Sequence, residues 1–259
     1  PVFDLPRMLD LLQEMAGYKY YVTLDQKHAY FQLQLAEESS WYCVVATPFG
    51  VFRFKRLPQG LVCSPRIFQA ANYKAIYGMS GHDWRLTGDA EEDKQLSKVL
   101  VKIYLDDILL GANNLADLVK ATCRILSIAK KFGMTISLKK CEWFRNSVNW
   151  LGMRVSERGL SPQIKRVEAL QSMPLPKTRE ELQTLIFSIG FHAFIISNWT
   201  NKSKHCRKLI KAAGRPKSKT VRSLYRSKIV TAVKFKTWTA TIHRWKMARE
   251  IWQRRYKLD

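Results

Sequence analysis

The chain has 259 residues, of which 46% are hydrophobic, so it can bury a sizeable core in one large domain or two smaller ones. This composition excludes a largely disordered chain, and no stretch approaches the roughly 20 consecutive apolar residues that a membrane-spanning helix needs. The formal net charge of +23 indicates a polyanionic partner such as nucleic acid, because basic side chains release counterions from phosphates.

The N-terminus lacks the basic, apolar and small-residue order of a signal peptide, and we therefore expect an intracellular protein of the cytoplasm or the nucleus. The five cysteines are odd in number and are never spaced as C-x-x-C. They predict neither a disulfide framework nor a zinc site, and reduced thiols are the expected state.

The positive charge is concentrated at the C-terminal end. Residues 201–259 contain 19 Lys and Arg and only two acidic residues, Glu250 and Asp259, whereas basic and acidic side chains are far closer to balance before them. We therefore predict a globular body at residues 1–197 and a basic C-terminal extension at residues 198–259.

The first half of the body alternates helix and strand signals. Apolar residues at helical spacing predict a first helix that is capped by Asp4 and stopped by Gly17. A strand is predicted at residues 20–24, and residues 41–46 and 51–54 predict a hairpin with a four-residue turn.

The remaining elements follow the same alternation. Ser64 and Pro65 predict the N-terminus of a helix that runs to about residue 76, and the polar residues 78–95 are interpreted as an inserted loop outside the core. Further elements are predicted as strands at 99–104, 108–110 and 148–155, a helix from Asn114 to Gly133, and helices that open at Ser161-Pro162 and at the capping box of Thr178. Interleaved strands and helices indicate a mixed body with helices packed on a sheet.

The stretch "KIYLDDILL" places Asp106 and Asp107 between two apolar strands. Asp is common at hairpin turns, and this is the alternative interpretation of the pair. At the edge of a buried sheet, however, like charges repel, and a hard divalent cation such as magnesium is the simplest remedy. If the strand that ends at Asp25 pairs beside this hairpin, three carboxylates converge and can hold two metal ions for phosphoryl transfer.

Three motifs occur in an informative order. They are "LDQKHAYFQ" at residues 24–32, "LPQG" at 57–60 with Ser64-Pro65 and Phe68-Gln69, and "YLDD" at 104–107. Together with "LKKCEWF", "WLGMRVSERGLSP" and "VEALQSMPLPKTREEL" downstream, they resemble the reverse transcriptases of long-terminal-repeat retroelements, nearest to the Ty3/gypsy or retrovirus type. The resemblance covers most of residues 1–197.

This resemblance implies an α+β fold, in which a polymerase palm with a ferredoxin-like antiparallel sheet backed by helices carries partial fingers and a mainly helical basic tail. The implied activity is that of an RNA-directed DNA polymerase, which adds deoxynucleotides to a primer 3′-hydroxyl by a two-metal mechanism. The implied cofactors are two Mg²⁺ ions, with Mn²⁺ as a substitute. The implied partners are an RNA or DNA template with its primer and deoxynucleoside triphosphates, without a membrane.

The resemblance also assigns roles to individual residues. Catalysis and metal binding fall to Asp25, Asp106 and Asp107. Nucleotide binding falls to Tyr30 beneath the sugar and to Gln59, Gly60 and Leu105, and primer or template contacts fall to Tyr104, Trp150, Leu151 and Gly152. The alternatives are a turn-forming role for Gln59 and Gly60 and a core role for Tyr30 and Trp150, while Lys139 and Lys140 either approach the triphosphate or are solvated.

One departure from the family pattern matters. The chain begins only 24 residues before Asp25, whereas the family's fingers extend further upstream and include basic residues that grip the triphosphate. The resemblance therefore implies a truncated copy with partial fingers, the palm and the start of the thumb or connection. A catalytically inactive palm-fold protein that only binds nucleic acid is the alternative function.

The tail has its own periodicity, because Trp238, Trp245 and Trp252 recur every seven residues with basic residues mainly on other faces. This pattern predicts an amphipathic helix that docks on the body or on another chain, through self-association or a polyprotein partner. Non-specific phosphate binding and an interfacial membrane helix are the alternatives.

Overall fold

The structure, a computed structural model, describes residues 4–78, 83–174, 176, 178–196 and 198–212. It divides the chain into two compact units, Pro1–Gln163 and Ile164–Asp259. The predicted domain boundary between residues 197 and 198 lies within the second unit and stays a prediction. Within the described ranges, every helix is too short or too polar to cross a membrane.

The first unit contains five α-helices and nine strands among its described residues. The helices are α1 (Met8–Met15), α2 (Glu37–Ser40), α3 (Ser64–Tyr77), α4 (Ala90–Leu96) and α5 (Leu115–Lys131), and the strands are β1 (Tyr20–Asp25), β2 (Val44–Thr47), β3 (Gly50–Arg53), β4 (Leu100–Tyr104), β5 (Asp107–Ala112), β6 (Glu142–Arg145), β7 (Ser147–Trp150), β8 (Met153–Ser156) and β9 (Gly159–Pro162). Short 3₁₀ helices occupy Ala29–Gln32 and Leu138–Lys140.

All strands pair antiparallel with their neighbours, in a four-stranded sheet of order β4-β5-β1-β6, a three-stranded sheet of order β7-β8-β9 and the two-stranded sheet β2-β3. The predicted α+β fold, with helices backing an antiparallel sheet, is confirmed.

The main core lies between the four-stranded sheet and helices α3 and α5. Strand β5 is buried along almost its whole length, as its continuous apolar run predicts. Helix α5 contributes Leu118, Ala121 and Ile125, which recur at helical spacing and are all inaccessible to solvent. This core holds the β4-β5 hairpin from behind and leaves its turn at the edge of the sheet.

The segment at residues 78–95 is not the inserted loop that the sequence predicted. Helix α4 begins within it and ends at the next residue, Leu96, and the Asp89 carboxylate caps this helix by accepting from the amides of Glu91 and Glu92. Trp84 and Leu96 are buried in the main core. The prediction failed because polar residues dominate the segment, while Trp84 and the adjoining Leu96 are isolated from each other in sequence.

Three predicted helix starts are also corrected. Helix α1 begins at Met8, and Asp4 does not cap it, because Pro6 biases the residue before it towards an extended backbone. Helix α3 has Cys63 at its N-cap, and the Ser64 hydroxyl donates instead to the carbonyl of Pro58 at 2.8 Å. Ser161 and Pro162 end strand β9, and α6 follows two residues later.

Two hairpin predictions need adjustment. Thr47 pairs with Gly50, so the β2-β3 turn has two central residues rather than four. The single strand predicted at residues 148–155 is a hairpin, in which Leu151 (φ 45°) and Gly152 (φ 80°) form the turn between β7 and β8. Both residues have a positive φ, a backbone geometry that type I′ hairpin turns require and that a strand pattern does not reveal.

The second unit contains helices α6 (Ile164–Ser172), α7 (Arg179–Gly190) and α8 (Trp199–Ala212) among its described residues. The predicted capping box at Thr178 is confirmed, since its side chain and that of Glu181 each accept from the other residue's amide. Arg179 Nε donates to the carbonyl of Ile210 at 3.0 Å and ties α7 to α8. The predicted tryptophan-rich helix lies outside the described residues.

One buried side chain next to β1 lacks hydrogen bonds. Gln26 is 3% exposed, and neither amide atom of its side chain has a hydrogen-bond partner among the described residues. A buried unsatisfied amide costs about 1–3 kcal/mol, whereas an apolar side chain of similar size does not carry this cost.

We therefore expect Gln26→Leu to raise the free energy of unfolding by about 1 kcal/mol, measured by urea denaturation. Gln69→Leu is the matched control, because Gln69 is equally buried but hydrogen-bonded at both amide atoms, and its loss should lower stability. An equal loss of stability in both variants would contradict this account of Gln26.

Candidate active site

The site is organised by the pairing of β1 with β5. Asp25 ends β1 and lies opposite Asp107, the first residue of β5, in the antiparallel register. The amide of Gln26 donates to the carbonyl oxygen of Asp106 at 2.9 Å and links the end of β1 to the turn of the β4-β5 hairpin. The pairing on which convergence of the carboxylates depends is therefore present.

Asp107 carries the electrostatic consequence of this arrangement. Burial, followed by the charges of Asp106 and Asp25, raises the pKa of Asp107 from 3.8 to about 6, against an opposing effect of Lys140. Burial and like charge both disfavour the ionised form of a carboxyl. The site thus concentrates negative charge that the described residues neutralise only in part.

Lys140 supplies the nearest compensation. Its ammonium nitrogen lies 3.3 Å from both Asp25 oxygens, but only the contact with Oδ2 has hydrogen-bond geometry. Lys140 is brought to this position by the 3₁₀ helix Leu138–Lys140, which follows a hydrogen bond from the Ser137 amide to the Asp25 carbonyl at 2.8 Å. Lys140 contacts Asp25 while its side chain stays 69% exposed, and an approach to the triphosphate stays a prediction.

The side chains themselves do not form a closed metal site. Within the described ranges, no three Asp, Glu, His or Cys side chains converge closely enough to form a metal-binding group. The donor chemistry nevertheless fits a hard divalent cation, since the three candidate ligands are carboxylates and Asp25 Oδ1 is buried without a hydrogen-bond donor. The register of β1 with β5 makes the three acidic residues neighbours along the backbone, although their side chains do not converge on one point. Their assignment as metal ligands stays a prediction.

Tyr30 lies close to the acidic turn. It belongs to the 3₁₀ helix Ala29–Gln32, and its ring packs against Phe68 with 5.1 Å between the centroids. Burial raises the pKa of the Tyr30 phenol, and the charges of Asp106 and Tyr104 raise it further. Tyr30, Tyr104 and Asp106 are therefore within electrostatic range of one another.

The other predicted contact residues lie in three separate elements. Leu105 is the first residue of the β4-β5 turn and has φ 53°. Gln59 is exposed in the loop before α3, and Gly60 beside it has φ 96°. Trp150, Leu151 and Gly152 form the end of β7 and the turn to β8, with the Trp150 ring buried. These positions do not test the predicted nucleotide and primer contacts.

Two residues at the site were given no role from the sequence, although Gln69 belongs to one of the quoted motifs. Asn72 and Gln69 lie on the buried face of α3, and their amides bond to the backbone of the "YLDD" turn. The sequence pattern could have pointed to them, because both amides fall in the apolar stripe of a helix, where a polar side chain needs a specific hydrogen-bond partner.

The raised pKa of Asp107 has a measurable consequence for stability. Because the folded state binds the proton more tightly than the unfolded chain, this carboxyl destabilises the fold as pH rises between about 4 and 6. In metal-free buffer at pH 8, we expect Asp107→Asn to stabilise the protein by ~1 kcal/mol, after solvent screening of a partly exposed group. Urea denaturation should show the difference vanishing below pH 4.

Asp83→Asn is the control, and we expect it to lower stability at neutral pH where Asp107→Asn raises it. A hydrogen bond from Arg85 lowers the pKa of Asp83, so this carboxyl stabilises the fold at neutral pH and the gain is lost in acid. An Asp107→Asn variant that is less stable than the unmodified chain at pH 8 would contradict the electrostatic description of the site.

Sequence comparisons identify relatives of the chain. The family described as "Reverse transcriptase (RNA-dependent DNA polymerase)" matches residues 1–155. The retrovirus-related Pol polyprotein from transposon 412 of Drosophila melanogaster is 25% identical over 209 residues, and the transposon Tf2-3 polyprotein of Schizosaccharomyces pombe is 26% identical over 190 residues. These alignments cover 81% and 73% of this chain but only 16% and 13% of the relatives, so the chain spans less than a fifth of their length.

Solved structures agree with the fold. A foamy viral protease-reverse transcriptase in complex with an RNA/DNA hybrid superposes with a TM-score of 0.70 at 21% identity, over 89% of this chain and 29% of that one. The same protein in complex with double-stranded DNA gives a TM-score of 0.68 at 22% identity, over 90% and 46%. Because the family match spans more than half of the chain and the fold agrees with it, this chain belongs to the reverse transcriptase family.

Proposed function

We propose that the chain acts as the palm of an RNA-directed DNA polymerase. In the proposed reaction, a primer 3′-oxygen attacks the α-phosphorus of a deoxynucleoside triphosphate in line, and pyrophosphate leaves. The observation that carries this proposal is the register of β1 with β5, which sets Asp25 opposite Asp107 beside the turn residue Asp106. Family membership and the fold support it.

We assign the three carboxylates to the binding of divalent ions, which reverse transcriptases generally use. Two Mg²⁺ ions, or Mn²⁺ in their place, would activate the attacking oxygen and stabilise the leaving one. Asp25 and Asp107 fit this role because their charges lie close together and are only partly balanced by Lys140. Lys140 keeps part of the negative charge compensated when no other cation is bound.

Substrate contacts are assigned to side chains around this site. Tyr30 is positioned near Asp106 and is proposed to exclude the 2′-hydroxyl of a ribonucleotide, while Leu105, Gln59 and Gly60 contact the nucleotide. Tyr104, Trp150, Leu151 and Gly152 are proposed to contact the primer or template. Gly60 has no side chain to separate its backbone from a bound nucleotide. Its φ of 96° would also strain any residue with a Cβ.

The proposed partners are an RNA or DNA template with its primer. The foamy viral relatives are described as complexes with an RNA/DNA hybrid or double-stranded DNA, and the charge of +23 favours such polyanions here. The seven-residue tryptophan spacing of residues 238–252 adds self-association or contact with a polyprotein partner to this proposal.

The carboxylate assignment is tested by primer extension on an RNA template. We expect Asp106→Asn to reduce extension by about 100-fold or more, the scale of losing one group that stabilises transition-state charge. Asp10→Asn, an exposed substitution on α1, makes the same change in charge elsewhere and should retain activity. If the unmodified chain binds primer and template with a steep salt dependence but extends no primer, the chain is a binding protein and the polymerase proposal fails.

The assignment of Tyr30 is tested separately by sugar selectivity. We expect Tyr30→Ala to raise ribonucleotide incorporation relative to deoxynucleotide incorporation by about tenfold or more, because the planar ring would no longer exclude the hydroxyl. Tyr42→Ala, which removes an exposed ring after α2, is the matched control. Unchanged selectivity in the Tyr30 variant would remove this role and leave a packing role against Phe68.

A further inference from the structure

The turn that carries Asp106 has an unfavourable backbone. Tyr104 pairs with Asp107, so Leu105 and Asp106 are its two central residues, and only Leu105 has a positive φ, of 53°. Turns with a positive φ at the first central residue are dominated by glycine, because a Cβ is disfavoured there. A leucine at this position needs an external constraint to keep its conformation.

Helix α3 provides two polar groups at this turn. Its buried face contains Phe68, Gln69, Asn72 and Ile76, and the two amides are 0% and 3% exposed. Amides in the apolar stripe of a helix are costly to bury unless each finds a hydrogen-bond partner. Both amides find partners on the backbone of the β4-β5 hairpin.

The hydrogen bonds surround the strained residue. Gln69 Nε2 donates to the carbonyl of Ile103 at 2.8 Å, and Gln69 Oε1 accepts from the amide of Leu105 at 2.5 Å. Asn72 Nδ2 donates to the carbonyl of Leu105 at 2.7 Å. The peptide groups on both sides of the Leu105 Cα are therefore held by side chains of α3.

We propose that Gln69 and Asn72 are positioning residues that hold the Leu105 turn in its strained conformation and so determine where the Asp106 carboxylate projects. The two side chains act through the backbone and do not touch substrate. On the opposite side of this turn, the Gln26 amide donates to the Asp106 carbonyl at 2.9 Å. The carboxylate-bearing residue is thus tied through its own carbonyl to β1 and through the preceding residue to α3.

The two amides make different contributions. Gln69 bridges two backbone groups of the hairpin, so its loss frees both the end of β4 and the first residue of the turn. Asn72 alone binds the carbonyl that precedes the Asp106 amide. Asn72 is therefore the more selective probe of the turn, because its removal leaves the hydrogen bonds of Gln69 in place.

Hydrogen exchange, followed by mass spectrometry on a peptide spanning residues 102–108, tests the constraint without reference to activity. We expect Asn72→Leu to accelerate exchange in this peptide by about tenfold, with peptides from α5 unchanged. Thr122→Val is the matched control, because Thr122 is also buried and its hydroxyl donates only to the Leu118 carbonyl within α5. If Asn72→Leu fails to fold, Asn72→Ser removes the same contact with a shorter side chain.

A double-mutant test separates positioning from packing. Leu105→Gly removes the Cβ that makes the turn unfavourable, so Asn72→Leu should accelerate exchange less than twofold in that background. A similar acceleration in both backgrounds, or no acceleration in either, overturns the proposal.

The consequence for catalysis rests on the proposed polymerase function and is measured separately. In primer extension, Asn72→Leu should lower kcat about tenfold with little change in KM for the nucleotide, and Leu105→Gly should reduce this defect. A normal kcat together with accelerated exchange overturns the role in positioning Asp106. If the unmodified chain extends no primer, the proposed function fails, while the exchange results still decide whether the two amides hold the turn.

Discussion

The antiparallel pairing of β1 with β5 places the Asp25 and Asp107 carboxylates on directly opposed residues at one edge of the main sheet. Two like charges on opposed residues of a sheet are unfavourable, and burial of Asp107 increases the penalty. A slip of β1 by one residue would relieve this repulsion, but it would turn Val22 and Leu24 away from the main core, and the core opposes it. The hydrophobic core therefore stabilises an arrangement of charges that would not persist alone.

Other features of the site depend on this arrangement. Lys140 lies within 3.3 Å of Asp25 and offsets part of the charge, and the amides of Gln69 and Asn72 bind the turn that carries Asp106. The site combines a rigid frame with incompletely balanced carboxylates, which is the combination expected of a centre that binds divalent cations and phosphates. In the same region, Gln26 is buried without a hydrogen-bond partner among the described residues.

Much of the fold was predictable because its periodic patterns are strong. Strands β1, β4 and β5 and helix α5 were predicted within one or two residues, since each has a long apolar pattern and α5 also has an asparagine cap. The errors fall where a single contact outweighs local pattern. Trp84 and Leu96 attach a polar segment to the core, and a positive φ at Leu151 turns an apparent strand into a hairpin.

The sequence by itself determined the family, through the order of its three motifs, and it identified Asp25, Asp106 and Asp107 as the residues to bring together. Only the tertiary structure decided that Asp25 lies opposite Asp107, that Lys140 pairs with Asp25, and that Gln69 and Asn72 bind the Leu105 turn. Local patterns record which face of an element is apolar. Strand register and hydrogen bonds between distant elements depend instead on how several elements pack at once, and no short stretch of sequence encodes that result.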